Sequence, residues 1–190
     1  MTLGVSFESV VAAAQAGAPW AWATLYGEIA GPVAGFFSAR GVSDTQSATG
    51  DVFIELSRNL DSFTGNEEEF QTFVFAMVYR RLRVEERNPR HVPRSALADR
   101  VLDRVQNDLQ FEIDLSQSQI SDSVKSAFKA LAPDQRDVLS LRVVAGLTIE
   151  QTAQVIGRSV SAVQSLQRKA LGRARHVLSD PPIPKPVVVP

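Results

Sequence analysis

Apolar residues recur every three or four positions along most of this chain, a pattern typical of amphipathic helices. The first predicted helix covers residues 6–17, with Ser6 as its cap. A longer helix begins at Pro19 and ends at Gly41, with a kink expected near Pro32. Two further helices are predicted over 46–60 and 67–86. Eight apolar residues of the second helix are predicted to form its core face: Trp20, Trp22, Leu25, Tyr26, Ile29, Val33, Phe36 and Phe37.

A second group of helices follows a proline-bearing stretch. Residues 88–120 are predicted to be a linker with one helix over 95–109. The next helix, 121–131, should turn Val124, Phe128 and Leu131 inward, and Pro133 opens another that ends before Gly146. The tail, 179–190, holds five of the ten prolines and is predicted to be extended. The pattern therefore predicts an all-α fold of two small helical domains, 1–90 and 121–178, joined by a linker at 91–120.

Residues 148–175 carry the signature of two short helices with a tight turn between them. Thr148 and Gln151 have the spacing of a capping box, which predicts where the first helix begins. Gly157 ends that helix, and Ser159 caps the next one. In the second helix a buried stripe is predicted from the three-four spacing of Val163, Leu166, Ala170, Ala174 and Val177. This arrangement predicts a helix-turn-helix.

The opposite face of the second helix is polar and has no acidic residue. It carries Ser161, Gln164, Ser165, Arg168 and Lys169. Glutamine and arginine can make bidentate contacts with adenine and guanine, so this face is suited to base edges and phosphates in a major groove. An ordinary amphipathic hairpin with a solvated face is the alternative, since such hairpins also occur in bundles that bind nothing.

The formal net charge of −1 conceals two basic segments within an acidic chain. Residues 1–79 have two basic residues and nine acids, whereas residues 80–104 have eight arginines and four acids. Residues 136–178 have seven basic residues and two acids. A phosphate backbone responds to local charge, so the total does not exclude a nucleic-acid partner. Two hypotheses remain open for the arginines of the first segment. They form either a solvated face partly neutralised by Glu85 and Glu86 or a phosphate-binding patch.

Several classes of protein are disfavoured by the composition. The chain has no cysteine, which excludes disulfides and thiolate metal sites. His91 and His176 lie far apart without an acidic cluster, so no metal site, cofactor or catalytic residue is predicted. The N-terminus lacks a basic leader, and the aromatic run at 70–79 is too short to cross a bilayer and is predicted to be a core helix. A cytoplasmic protein without membrane insertion is expected.

The helical layout and the motifs together resemble the extracytoplasmic-function (ECF) sigma factors of bacterial RNA polymerase. The segment LAPDQRDVLSLRVVAGLTIEQTAQVIGRSVSAVQSLQRKAL, residues 131–171, resembles region four of that family. Residues 20–90 resemble its region two, with GDVFIELSRNLDSF in the middle. The resemblance implies a promoter-specificity subunit that binds core RNA polymerase and promoter DNA and catalyses no reaction.

The resemblance also implies a role for each set of residues. The third helix would face the clamp helices of the largest polymerase subunit through Asp51, Val52, Phe53, Glu55 and Leu56, and region four would meet the flap. The minus-10 element would be held by Asn59, Asp61, Ser62, Phe63, Arg80, Arg81, Arg83 and Arg87. The minus-35 element would be read by Arg158, Ser159, Ser161, Ala162, Gln164, Ser165, Arg168 and Lys169. An anti-sigma factor is a further implied partner.

Three departures from the family pattern affect individual contacts. Gln46 and Ser47 stand where the family usually has an acidic pair. Gln164 replaces a lysine of the recognition helix, which favours base reading over phosphate contact. Glu85 and Glu86 interrupt the basic run. Two other functions remain open: a stand-alone helix-turn-helix regulator whose N-terminal domain senses a ligand or dimerises, and a sigma-like protein that only sequesters a partner.

Overall fold

Seven helices account for most of the described chain, which in this computed structural model comprises residues 6–87, 124 and 126–179. They are α1 (Phe7–Gln15), α2 (Pro19–Ala39), α3 (Thr45–Asn59), α4 (Glu67–Arg87), α5 (Pro133–Leu139), α6 (Ile149–Ile156) and α7 (Val160–Ser179). A 3-10 turn, Leu60–Ser62, follows α3, and a π-helical turn, Ser140–Val144, extends α5. The all-α prediction is confirmed. The predicted linker, its helix at 95–109 and residues 180–190 of the predicted tail lie outside the described residues. Ser179, predicted to begin the tail, is the last residue of α7.

The N-terminal half, α1 to α4, packs around buried aromatic rings. Phe36 and Phe37 of α2 and Phe70 and Phe75 of α4 are at most 2% exposed. Phe36 and Phe75 meet edge to face with ring centroids 6.0 Å apart, a favourable aromatic geometry. Helix α2 continues through Pro32. These rings join α2 and α4 within the core of the N-terminal half.

Two aromatic residues predicted to lie in the core are instead on the surface. Trp20 is 58% exposed and Tyr26 is 55% exposed. The buried face of α2 runs through Ala21, Leu25 and Ile29, which share one side of a helix of 3.6 residues per turn. Trp20 and Tyr26 are rotated away from that side, so the prediction assigned too wide a stripe to the core.

The C-terminal half is built on two small apolar clusters. Val138, Ala153 and Val163 join α5, α6 and α7. Leu131, Leu139 and Ala170 form the second cluster, with Phe128 against it. Val124, which was predicted to face inward, is 52% exposed because this cluster extends only as far as Phe128. Both clusters pack against the apolar side of α7, through Ala170 and Val163.

The π-helical turn Ser140–Val144 and the residues that follow it, up to Leu147, replace the plain helix end that was predicted before Gly146. The amide of Ala145 donates to the carbonyl of Ser140 over 3.1 Å, and Leu147 N donates to Leu141 O over 3.0 Å. Gly146 has a φ of +69°, which a residue without a Cβ adopts at low cost. This segment, residues 140–147, places Leu141, Ala145 and Leu147 in the core of the N-terminal half.

The two halves therefore share one apolar junction, reinforced by long-range hydrogen bonds. Gln71 Nε2 of α4 donates to Ala145 O over 2.7 Å. Gln151 Nε2 of α6 donates to Glu68 O over 2.9 Å. The helix-turn-helix is consequently seated against α4.

Candidate nucleic-acid interface

Local hydrogen bonds determine where the two helices of the helix-turn-helix begin and end. Thr148 N donates to Gln151 Oε1 over 2.7 Å and Gln151 N donates to Thr148 Oγ1 over 3.1 Å. Gly157 ends α6 in the left-handed region at φ +66°. The amide of Ala162 donates to Ser159 Oγ over 3.3 Å. The predicted capping box, glycine stop and serine cap are confirmed.

Replacing Gly157 with alanine is expected to lower the free energy of unfolding by about 1 kcal/mol, because its φ is unfavourable for a residue with a Cβ. Space is not the cause, since a Cβ at Gly157 would meet nothing within 4 Å. Thermal unfolding followed by circular dichroism measures the change. Gly172→Ala is the matched control: it lies within α7 with equally open surroundings, and the helix propensity of alanine should stabilise it.

The polar face of α7 is open to solvent. Ser161, Gln164, Arg168 and Lys169 are exposed, and Ala162 and Ser165 are half-buried. The opposite side is closed, with Val163 and Ala170 both at 0% exposure. A helix held by one apolar side and bare on the other has the form of a recognition helix.

The turn before α7 brings Arg158 and Ser159 to the same end of this face. Arg158 Nη2 pairs with Asp134 Oδ2 of α5 at 2.7 Å, and both side chains are about half exposed, at 49% and 48%. Ser159 Oγ lies 3.1 Å from Ser161 Oγ. The ion pair positions Arg158 but leaves it at the surface, where such pairs are weak and exchangeable.

One exposed residue on the same face was missed by the sequence interpretation. Arg175 lies seven residues after Arg168 and eleven after Gln164, spacings that return to the same side of a helix. The basic count of the segment was the available signal, but the polar face was assigned only as far as Lys169. The basic surface of α7 is therefore longer than predicted.

The arginines of α4 are engaged with nearby acids. Arg80 Nη2 lies 3.1 Å from Glu55 Oε1. Arg81 Nη2 lies 2.8 Å from Asp51 Oδ2 and 2.5 Å from Glu85 Oε1. The pairing includes two acids of α3 that the sequence interpretation had not connected with these arginines.

Further along α4, Arg83 Nη1 pairs with Glu86 Oε2 at 2.8 Å, and Arg87 at the helix end is exposed. In this structure Arg80, Arg81 and Arg83 are paired with acids, as the hypothesis of a partly neutralised, solvated face describes. A nucleic-acid phosphate would have to exchange with a carboxylate at each of these three positions, which reduces the gain from each contact.

A buried phenylalanine holds the turn that follows α3 against the core. Asn59, Asp61 and Ser62 are exposed. Phe63 is only 9% exposed, and its ring centroid lies 5.2 Å from that of Phe70. The Phe63 ring is thus packed into the core, and Asn59, Asp61 and Ser62 form the exposed surface of the turn.

A residue that sequence reasoning missed fixes this turn in place. Gln15 Nε2, at the end of α1, donates to Leu60 O over 2.9 Å and to Phe63 O over 3.0 Å. No sequence pattern pointed to this contact, because the partners are 45 and 48 positions away.

Helix α3 divides the residues implied in polymerase contact into two groups. Val52 and Leu56 are 1% and 0% exposed and pack in the core, so they hold the helix rather than meet a partner. Asp51, Phe53 and Glu55 are partly exposed. Ile54, absent from the predicted set, is 50% exposed. Within residues 51–56, the surface that α3 offers consists of these last four side chains.

A buried ionic cluster lies where the two halves meet. The side chain of Arg40 is 3% exposed, and its Nη2 lies 2.7 Å from Glu86 Oε1 and 2.8 Å from Asp137 Oδ1. Tyr79 OH donates to Asp137 Oδ2 over 3.0 Å. Burial raises the pKa of Asp137 despite the opposing charge of Arg40. Burial, with the charge of Asp137 adding to it, raises the pKa of Tyr79 to about 12.

Other kinds of site find no support in the part of the chain that the structure describes. It contains no group of three histidines, cysteines or acids that could hold a metal ion. Within the same residues, no helix combines the length and the apolar character needed to cross a membrane. His176 is exposed on α7, and His91 falls outside the described residues.

Comparison with known proteins places the helix-turn-helix in a family. Residues 127–176 match the family described as "Sigma-70, region 4". The chain is 24% identical over 173 residues to the ECF RNA polymerase sigma factor BldN of Streptomyces coelicolor, covering 90% of this chain and 65% of BldN. It is 30% identical over 127 residues to the ECF RNA polymerase sigma factor ShbA of Streptomyces griseus, covering 66% of each chain.

A solved structure shares the fold. The structure of CnrH in complex with the cytosolic domain of CnrY superposes with a TM-score of 0.64 at 19% identity, covering 90% of this chain and 96% of CnrH. The chain spans just under two thirds of the length of both sequence relatives, at 65% and 66%. Residues 127–176 thus match region four of the sigma-70 family, and over most of its length the chain is similar to ECF sigma factors.

Proposed function

We propose that the protein is an RNA polymerase sigma factor, which binds core polymerase, directs it to promoters with minus-10 and minus-35 elements, and helps to open the duplex. The observation that carries this proposal is the bare polar face of α7 inside the region-four match. It would act in the cytoplasm without catalysing a reaction itself. Both sequence relatives are named as ECF RNA polymerase sigma factors, which supports the same function.

The proposed roles follow the exposed side chains. The minus-35 element would be read as duplex by Gln164 and Arg168, with Lys169 and Arg175 placed for phosphates. The exposed residues of the turn after α3 and the arginines of α4 would meet the melted minus-10 strand. Core polymerase would bind the exposed side of α3, where Asp51 and Glu55 lie.

A promoter-dependent transcription assay tests the proposal. Genomic fragments bound by the protein together with core polymerase are used as templates for run-off transcription with both purified components. We expect defined transcripts that require the protein. Binding to the same fragments without any stimulation of initiation would contradict the proposal and would instead fit a stand-alone helix-turn-helix regulator.

Replacing Arg168 with alanine is expected to weaken minus-35 binding by about 1 to 3 kcal/mol and to relax specificity at one base pair, if the guanidinium contacts a base. Competition between promoter variants, measured on the polymerase complex at several salt concentrations, gives both quantities. Arg173→Ala is the matched control, because Arg173 is an exposed arginine of the same helix on a different side.

The salt series separates the two kinds of contact. A loss that is equal for all sequences, with a shallower salt dependence, would show that Arg168 binds a phosphate. No difference between the Arg168 and Arg173 variants would contradict the assignment of the recognition face.

An anti-sigma protein is a further proposed partner. The similar fold of CnrH was solved in complex with the cytosolic domain of another protein, CnrY, which supports this proposal. Co-purification of the full chain from its source, with and without an inducing stress, would identify such a partner by mass spectrometry. Recovery of the free chain or of polymerase alone under every condition would contradict it.

A further inference from the structure

The contacts between the two halves raise a geometric problem for the proposed function. The names of the two promoter elements place them about 25 base pairs apart, or about 85 Å along B-form DNA at 3.4 Å per base pair. A compact body of this size has a radius of gyration of roughly 14 Å and is therefore about 40 Å across. With α6 bonded to α4, the two proposed DNA-binding surfaces cannot reach both elements of one straight promoter.

The junction combines an apolar contact with the buried ionic cluster. Leu141 and Leu147 of the C-terminal half are at 0% exposure within the core of the N-terminal half. Beside them, Asp137 of α5 is 2% exposed and is held by Arg40 and Tyr79, which both belong to the N-terminal half. Asp137 is thus the charged group that the C-terminal half contributes to this cluster.

The cluster holds the halves together without satisfying all of its polar atoms. Among the described residues, Nε and Nη1 of Arg40 are buried without a hydrogen-bond partner. Burial opposes the charged form of the Asp137 carboxyl and raises its pKa, and the charge of Arg40 acts against this effect. Separation of the halves would return these groups to water, and this return offsets part of the lost contact. Opening the junction therefore costs less free energy than the loss of its contacts alone would.

We propose that Arg40, Asp137 and Tyr79 form a latch that keeps the two halves closed in the free protein and that must open before both halves engage one promoter. The first part of this proposal rests on the contacts alone, and the second part rests on the proposed sigma function. Breaking the latch from the Arg40 side has the sharpest consequence, because it leaves a buried carboxylate without a charged partner.

The absence of cysteine from the chain makes the test direct. Cysteines introduced at the exposed positions Ser57 of α3 and Gln154 of α6 carry two spin labels on the full-length protein, and pulsed electron resonance gives the distribution of distances between them. The doubly labelled protein that keeps all three latch residues should give a single short distance between the labels. Arg40→Met should raise the ratio of open to closed molecules by on the order of a hundredfold.

A second substitution restores the closed state if the latch acts through charge. Adding Asp137→Asn to Arg40→Met removes the unpaired buried carboxylate, while the amide oxygen still accepts from Tyr79 OH. The short distance between the two labels should therefore return. Tyr79→Phe alone should shift the ratio by about fivefold. Tyr26→Phe is its matched control, since Tyr26 is 55% exposed and outside the cluster.

The distance measurement is independent of transcription. A long distance in the unmodified protein, or a short distance retained in Arg40→Met at full helicity, would overturn the latch. Opening of Arg40→Met without the return of the short distance in the double variant would also overturn it, because a loss of packing rather than charge would then be responsible. Failure of run-off transcription would remove the sigma function and leave these distances unaffected.

Discussion

Phe70→Ala is expected to lower the free energy of unfolding by about 3 to 5 kcal/mol, the range for an aromatic ring removed from a closed core. Phe70 is at 0% exposure and contacts two other rings, with centroids 5.5 Å from Phe7 and 5.2 Å from Phe63. It therefore joins α1, α4 and the turn after α3. Chemical denaturation followed by circular dichroism measures the loss.

The control for this substitution lies three residues further on the same helix. Phe73 is only partly buried, so Phe73→Ala removes an equal number of atoms and should cost clearly less. If the two variants lost equal stability, the ring cluster around Phe70 would not be the centre of the N-terminal half. Because Phe63 rests on Phe70, a variant that still folds should also bind the minus-10 strand more weakly.

Val163→Asp is expected to abolish minus-35 binding and to cost at least about 4 kcal/mol, because it places a carboxylate in an apolar cluster. Val163 is at 0% exposure and packs with Val138 and Ala153, which join α7 to the two preceding helices. Amide hydrogen exchange should show loss of protection across α5 to α7. Promoter binding by the polymerase complex reports the functional loss.

The neighbouring residue provides a stringent control. Gln164→Asp introduces the same carboxylate one position later, where the side chain is exposed. It should leave hydrogen exchange unchanged and still weaken DNA binding, because a negative charge then faces the phosphates and base edges. If hydrogen exchange changed equally in both variants, the assignment of buried and exposed sides on α7 would be contradicted.

Local patterns predicted the helix-turn-helix closely because its limits depend on neighbouring residues. The bonds between Thr148 and Gln151 and the left-handed Gly157 involve positions within a few residues of one another. Spacing in the sequence therefore carries the information directly. The buried stripe through Val163 and Ala170 could be read for the same reason.

Contacts distant in sequence were not predictable in this way. The pairing of Arg81 with Asp51, the support of the Leu60–Ser62 turn by Gln15, and the cluster of Arg40 with Asp137 each join different helices. Periodicity identifies which side of a helix is apolar but not which helix it meets. It also overestimated the width of the buried side of α2, where Trp20 and Tyr26 are exposed.

The place of the junction along the chain has a consequence for synthesis on the ribosome. Leu141 comes 54 residues after the end of α4 at Arg87 (141 − 87 = 54). At about 5 to 20 residues per second, it leaves the ribosome roughly 3 to 11 seconds later than that helix. Throughout this interval the apolar surfaces of α2 and α4 that Leu141 and Leu147 later cover face water. A nascent chain stalled there should be a better substrate for chaperones than the finished protein.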